Sequence, residues 1–233
     1  MMKKSIGLVL VALLAGGAWW MMRPSGFQTD APLLSDGPRI ELLKGLDTNA
    51  LPKGWVHRKF LTVSAADYQM VQEDGATALQ CTTNNSGSIL ARDTQIAVDA
   101  LPMLSWQWKV TQPINSQVDE ATKEGDDHPL RLFVVFSNET QERRAMEIIW
   151  SNRKYAPGDY KIIGEFHHYV ANGLNENINT WHSQSVDLRQ IYADIGGTGT
   201  PTLQTLGFFC DSDNTGGRSR GFFKDVQLSA ADQ

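Results

Sequence analysis

Met103-Leu104-Ser105-Trp106-Gln107-Trp108-Lys109-Val110 alternates without a break: Leu104, Trp106, Trp108 and Val110 fall on one side, Met103, Ser105, Gln107 and Lys109 on the other. A period of two marks a strand with one apolar face, because successive side chains of a strand point to opposite sides. The two tryptophans read as a core pair if the residues alternating with them meet solvent. The other reading is a sugar-stacking platform, since an indole face offers flat apolar surface to a pyranose ring.

Working outward, strand and turn signals recur on both sides. Trp55 to Phe60 reads as a strand. Tyr68 to Glu73 and Thr77 to Thr83 flank Asp74-Gly75, the pair that suits a type I′ hairpin. Ser86-Gly87-Ser88 reads as a turn before a short strand, Ile89 to Arg92. Leu130 to Phe136 is apolar apart from Arg131, as expected of a strand buried on both faces. Arg143 to Trp150 follows, then Tyr160 to Phe166 with His167 to Val170, and Thr180 to Asp187 anchored by Trp181 and Val186. Leu203 to Phe209 and Gly221 to Leu228 come last. Helix is expected loosely over Ile40 to Leu51 and, with Asp187 as N-cap, through Tyr192. Roughly ten short strands with marginal helices predict an all-β fold. We expect a two-sheet antiparallel β-sandwich, a jelly roll of the carbohydrate-binding-module kind with one or two short helices; an up-and-down barrel is the alternative.

The 233 residues, 41% of them hydrophobic, suffice for one substantial core, expected over residues 40–230. Net charge is −5, and the basic residues cluster only at Arg143-Arg144 and Arg218 to Arg220, which excludes a nucleic-acid footprint. Lys3 and Lys4 precede the apolar run Ile6 to Ala18, as in a secretory signal. Counted on to Met22 the run is about 17 residues, the lower limit for a spanning helix, with Trp19 and Trp20 at the far interface. Residues 1–24 are therefore a signal peptide or an N-terminal membrane anchor, and residues 25–39 a linker rich in Pro, Gly, Ser and Asp. Either outcome predicts an exported domain, periplasmic or anchored in the inner membrane and facing the periplasm. An oxidising compartment permits a Cys81–Cys210 bridge if their strands are neighbours; two separate buried thiols are the alternative.

The densest polar stretch is Cys210-Asp211-Ser212-Asp213-Asn214-Thr215-Gly216-Gly217, between two apolar runs. Asp211, Asp213 and Asn214 form an all-oxygen set that suits calcium, the one cofactor this sequence suggests, although it lacks the EF-hand pattern. An Asx-rich hairpin bonding its own backbone is the bland reading. A second charged stretch, Gly125-Asp126-Asp127, precedes Arg131, whose guanidinium needs a carboxylate partner in a buried strand. Glu147 stands among apolar residues with the parity of Ala145 and Ile149, which suggests an inward carboxylate. We expect the two acidic segments to meet at one end of the sandwich, with Arg131 bridging them. His167-His168 lacks zinc-ligand spacing, Gly196 to Pro201 lacks the Lys of a phosphate loop, and no nucleophile elbow occurs.

Leu104 to Val110, Lys123 to Asp127 with Arg131 to Phe136, Asp211 to Gly217 and the pair Trp150-Ser151 together resemble the bacterial family catalogued as domain of unknown function 3047. The resemblance spans about Trp55 to Leu228. It implies an exported protein and hands over no catalytic residue. The residues themselves suggest binding of a glycan or another polar envelope ligand, with Arg131, Asp211, Asp213, Asn214, Thr215 and Trp150 as contacts. A glycan-active hydrolase or lyase is the alternative, using a carboxylate pair from Asp126, Asp127, Glu147 and Asp213. A structural envelope interaction protein is the third.

Overall fold

The computed structural model describes residues 27–164, 166–173 and 177–231. The expected signal or anchor, residues 1–24, lies outside the described residues. Among the described residues there are fourteen strands: β1 (Leu33–Leu34), β2 (Arg39–Glu41), β3 (Trp55–Lys59), β4 (Asp67–Glu73), β5 (Ala76–Asn84), β6 (Gly87–Ala97), β7 (Met103–Gln112), β8 (Arg131–Ser137), β9 (Arg143–Ser151), β10 (Tyr160–Ile163), β11 (Phe166–Gly173), β12 (His182–Asp187), β13 (Thr202–Asp211) and β14 (Arg218–Ser229). The α-helix α1 (Leu188–Asp194) starts at Asp187, whose side chain accepts a bond from the Arg189 amide.

The strands form two sheets. One runs β1-β6-β13-β8-β9-β11-β10, with β3 also on the edge of β6; the other runs β12-β7-β14-β5-β4, with β2 on β14. The fold is the expected β-sandwich, mostly antiparallel. Two pairs are parallel, β1 with β6 and β9 with β11. The second arises because the chain leaves β9, passes to the edge as β10 and returns as β11 between the two, so β11 repeats the direction of β9.

The alternation that marks β7 fixes the core. Leu104, Trp106, Trp108 and Val110 face Leu132, Val134, Phe136, Met146, Ile148 and Phe208 of the other sheet, all buried. Trp106, Trp108 and Trp150 pack edge to face, which settles the indole pair as core rather than platform. A second apolar cluster, Phe27, Ile89, Ala91, Phe133, Val135 and Phe209, covers the outer face of the eight-stranded sheet. Strand β8 is therefore buried along both faces, as its continuous apolar run predicts.

Three local expectations change. Residues 27–39 are not a free linker: Phe27 is buried against Phe133, the Thr29 amide and hydroxyl bond Asp93, and Leu33–Leu34 pairs with β6. The polar composition hid two apolar anchors. Ile40 to Leu51 is a short strand and turns instead of a helix, because Gly45 takes a φ of 74° and ends any helical run while Leu42 and Leu46 enter the core. Strand β6 extends to Ala97, since Thr29 satisfies Asp93 and so lets the strand continue past a buried carboxylate.

Cys81 on β5 and Cys210 on β13 are joined, with Cα atoms 6.6 Å apart. Both side chains point into the core, so the bridge ties one sheet to the other across 129 positions of sequence. Replacing both cysteines by alanine should lower the unfolding free energy by about 2–5 kcal/mol, read from urea midpoints, and reductant should then have no further effect.

Candidate functional site

Strand parity sorts the polar residues onto two separate faces. On β8, Leu132, Val134 and Phe136 face the core, so Arg131 points outward with Phe133 and Val135. On β9, Met146, Ile148 and Trp150 face the core, so Glu147 points to the same outer face. The expectation of an inward Glu147 is thus corrected, and Trp150, expected to touch ligand, is a core residue in contact with Trp108. Register places His168 beside Glu147 and Lys161 beside His168, which carries the polar row across β9, β11 and β10.

The connection from β7 to β8 lies over this row. The Arg131 Nη2 is 2.6 Å from both Asp211 oxygens and also donates to the Asp126 carbonyl, while Nη1 donates to Glu147. Its guanidinium stacks 4.6 Å from the centre of the Phe209 ring. The expected meeting of the two acidic segments therefore occurs, with Arg131 as the bridge. Asp127 closes the junction: its carboxylate accepts the amides of Asn214 and Thr215 and the Thr215 hydroxyl at 2.6–3.2 Å.

Beside Arg131, Lys161 Nζ lies 2.7 Å from Asp126 Oδ1 and 2.7 Å from His128 Nε2. His128 Nδ1 lies 3.2 Å from the Trp150 carbonyl, which only accepts, so Nδ1 carries the proton and Nε2 takes the bond from Lys161. His168 Nε2 stands 3.2 Å from Glu147 and 3.5 Å from Asp126. Burial works against every one of these charges. For Arg131, the carboxylates of Asp211, Glu147 and Asp126 outweigh it and hold the cation well above its usual range. Against the same burial, Arg131 and His168 hold Asp126 well below the usual carboxylate range, and the same two groups hold Glu147 at about 2. Burial and Lys161 push His128 well down, whereas Asp126 and Glu147 overcome burial to raise His168.

This geometry decides between the readings of the acidic residues. Asp126 and Glu147 share the same two cations instead of facing one another across a cleft, and Asp127 is fully enclosed. One oxygen from each of Asp127, Asp211 and Asp213 lies within 4.8 Å of the others, and burial followed by the charge of Asp127 raises the Asp213 pKa. Both Asp211 oxygens face a guanidinium and both Asp127 oxygens hold the loop, so a cation at this cluster would compete with those partners. Of the expected contacts, Asp213, Asn214 and Thr215 reach the surface, while Arg131, Asp211 and Trp150 do not.

The other face belongs to the six-stranded sheet. Register lines up Gln69, Gln80, Phe222 and Lys109 in one row across β4, β5, β14 and β7. Trp181, at the entry to β12, continues that row beside Lys109. Its indole is partly exposed and held at several points. Nε1 donates to Asp74 at 2.9 Å, Lys224 and Lys109 lie 4.3 and 5.3 Å from the ring centre, and Phe222 meets it edge-on. Asp74 also bonds Lys109 at 2.7 Å, so the β4–β5 turn leans across the sheet. Gln107, Gln227, Ser105, Ser183 and Ser185 share this face. Sequence reading took Trp181 for an anchor equal to Val186. The two are five residues apart and hence of opposite parity, a signal that separates the outer indole from the buried valine.

A sequence profile described as protein of unknown function, DUF3047, matches residues 53–227. The chain belongs to this family. No curated relative matches it in sequence. Among solved structures it is similar to the family 11 carbohydrate-binding module of the cellulosomal cellulase Lic26A-Cel5E of Clostridium thermocellum, at 8% identity and a TM-score of 0.43, covering 84% of this chain and 97% of that one. It is also similar to the family 30 module of cellulase Cel9D-Cel44B of the same organism, at 11% identity, TM-score 0.41 and 89% and 97% coverage. A third is the xyloglucanase domain of NopAA, a type three effector from Sinorhizobium fredii solved with cellobiose, at 9% identity, TM-score 0.43 and 82% and 97% coverage. None of these likenesses assigns a role to a residue of the DUF3047 chain.

Two outcomes follow from the buried network. Arg131→Met, which strands three carboxylates, should cost about 3–5 kcal/mol in urea unfolding. The histidines set opposite pH limbs. His168, raised in the folded state, gives stability that is complete below histidine's ordinary 6.5 and is lost as pH climbs through its folded value. His128, lowered in the folded state, costs stability as pH falls below 6.5. Thermal melts across pH should show His168→Gln flattening the alkaline limb and His128→Gln the acid limb.

Proposed function

We propose that this protein is an exported carbohydrate-binding domain of the cell envelope, and that its glycan lies on the outer face of the six-stranded sheet. The observation that carries this reading is the fixed, partly exposed Trp181 indole at the end of a row that runs Gln69, Gln80, Phe222 and Lys109. An indole clamped through Nε1 and over two ammonium groups loses little freedom when a ring stacks on it, so binding energy is not spent on ordering it. Glutamine and serine side chains both donate and accept, which matches the hydroxyl groups of a sugar better than fixed charges do.

The acidic loop contributes through its surface members, Asp213, Asn214 and Thr215, only if the ligand extends to that end of the sandwich. Export is part of the same proposal, supported by Lys3, Lys4 and the apolar run behind them. The engagement of Asp126 and Glu147 by Arg131 and His168 favours binding over glycan hydrolysis.

Affinity electrophoresis in gels containing soluble plant and bacterial polysaccharides tests the proposal. The wild-type chain should be retarded by at least one of them, and Trp181→Ala should weaken that binding at least roughly tenfold, about 1.4 kcal/mol, with the melting temperature unchanged. Retardation that survives Trp181→Ala would move the site elsewhere, and no retardation by any polysaccharide would remove the function.

A further inference from the structure

We propose that the glycan on the outer face of the six-stranded sheet is acidic, a chain of uronic acid units whose carboxylates pair with Lys224 and Arg220. This rests on the reading of that face as the binding surface, and it adds the chemical class of what the face holds. Strand β14 is the middle of the sheet, third in the order β12-β7-β14-β5-β4. Phe223 enters the core, while Phe222 lies in the outer row between Gln80 and Lys109. Arg218, Arg220 and Lys224 share the parity of Phe222 and therefore its face. The two arginines are exposed and Lys224 is half-buried. The centre of the face thus reads cation, cation, aromatic, cation. At about 3.3 Å per residue, Arg220 and Lys224 stand about 13 Å apart along the strand with Phe222 between them.

The acids of this face are engaged elsewhere. Glu73 and Asp74 hold Lys109, and Asp74 also accepts the Trp181 Nε1 bond, so it senses Lys224 only at a distance. Asp225 accepts the Gln107 amide at 3.1 Å, and Asp67 the Gln69 amide at 2.8 Å. Arg39 and Arg189 each hold a carboxylate two positions away, Glu41 and Asp187. Among the described residues no carboxylate forms an ion pair with Lys224, Arg220 or Arg218, and Arg218 bonds the neutral Asn84 oxygen. In a chain of net charge −5, three cations left without an acid on one central strand are a local excess of the opposite sign.

Lys224 decides what that excess is for. Its ammonium lies 4.3 Å from the centre of the Trp181 ring. Attraction to the ring does not neutralise the cation, whose N–H groups stay open to an acceptor. A pyranose stacked on this indole carries its substituents to the rim of the ring, where the ammonium stands. A uronate carboxylate there gains an ion pair that a hydroxymethyl group does not. Arg220 meets a second carboxylate further along the same extended chain, and its planar fork matches that group with two parallel bonds. Gln69 and Gln80 beside them are left for the hydroxyls.

The test runs the full chain in gels containing polygalacturonate or the same polymer with its carboxyls methyl-esterified. The acid form should be bound at least roughly tenfold more tightly, the sum of two exposed ion pairs at about threefold each. That preference should shrink as salt rises from about 0.01 to 1 M, where the screening length falls from about 30 to 3 Å. Lys224→Gln and Arg220→Gln should each cut the acid-to-ester ratio about threefold. The ratio separates the charge of Lys224 from the support it gives the indole, and Lys224→Arg should preserve it. Equal retention by acid and ester, both lost in Trp181→Ala, overturns the acidic ligand and leaves the glycan reading standing. No retention by these or by any neutral polysaccharide overturns both. A ratio that both glutamine variants leave unchanged places the anion elsewhere, and a sulfated galactan bound as tightly as polygalacturonate makes the stripe a general anion surface; either result overturns the uronate assignment.

Discussion

The guanidinium of Arg131 is the constraint on which one end of this molecule depends. It stands at the first position of a strand that is otherwise apolar and buried on both faces, where an unpaired cation is untenable. Its position obliges three carboxylates, or their backbone, to come to it: Asp211 from the end of β13, Glu147 from β9, and Asp126 from the connection into β8. Once they do, the rest follows. The connection is drawn over the sheet, Asp127 is carried to the following loop and fixes Asn214 and Thr215, and His128 is delivered to Lys161. An acidic loop that looks in isolation like a cation site becomes a clamp because its strongest acceptor is already committed.

That same burial decides which outer face of the sandwich stays polar. The eight-stranded sheet carries the inter-sheet core on one face. On the other it carries Phe27, the second apolar cluster and the charged network. The six-stranded sheet has the core on one face and, on the other, amides, hydroxyls and the Trp181–Phe222 pair. The disulfide between Cys81 and Cys210 holds the two sheets in register, so the outer row is built on a rigid backing.

Much of the fold is legible from strand period. The β7 alternation, the Asp74-Gly75 turn, where both residues take positive φ, and the Asp187 cap are local signals, and each stands where the sequence places it. The Arg131 bridge is legible by a different logic, since a buried charge advertises its need for partners even before they are located. The departures have separate causes. Phe27 and Leu33 lie in a stretch whose average composition is polar, and a single apolar anchor does not change an average although it decides where the chain packs. Glu147 was misplaced because an inward parity could not be told from an outward one until the second apolar cluster showed that both faces of the sheet are buried.

The row Gln69, Gln80, Phe222, Lys109 and Trp181 is a case that no local signal could have reached. Its members come from β4, β5, β14, β7 and the entry to β12, separated by up to 153 positions, from Gln69 to Phe222. Each is ordinary in its own strand: a polar residue on the solvent side, or an aromatic that passes for core. Their meaning lies in adjacency across the ladder, which is set by the register of four strand pairs at once. Lys109 shows the consequence. Read along β7 it is simply the polar alternate of Trp108. Read across the sheet, it fills the space between Phe222 and Trp181, with its charge matched by Glu73 and Asp74 so that it can lie beneath an indole. The same period of two that buries Trp108 thus delivers the cation that supports the partly exposed Trp181, and the core and the outer row are the two sides of one strand.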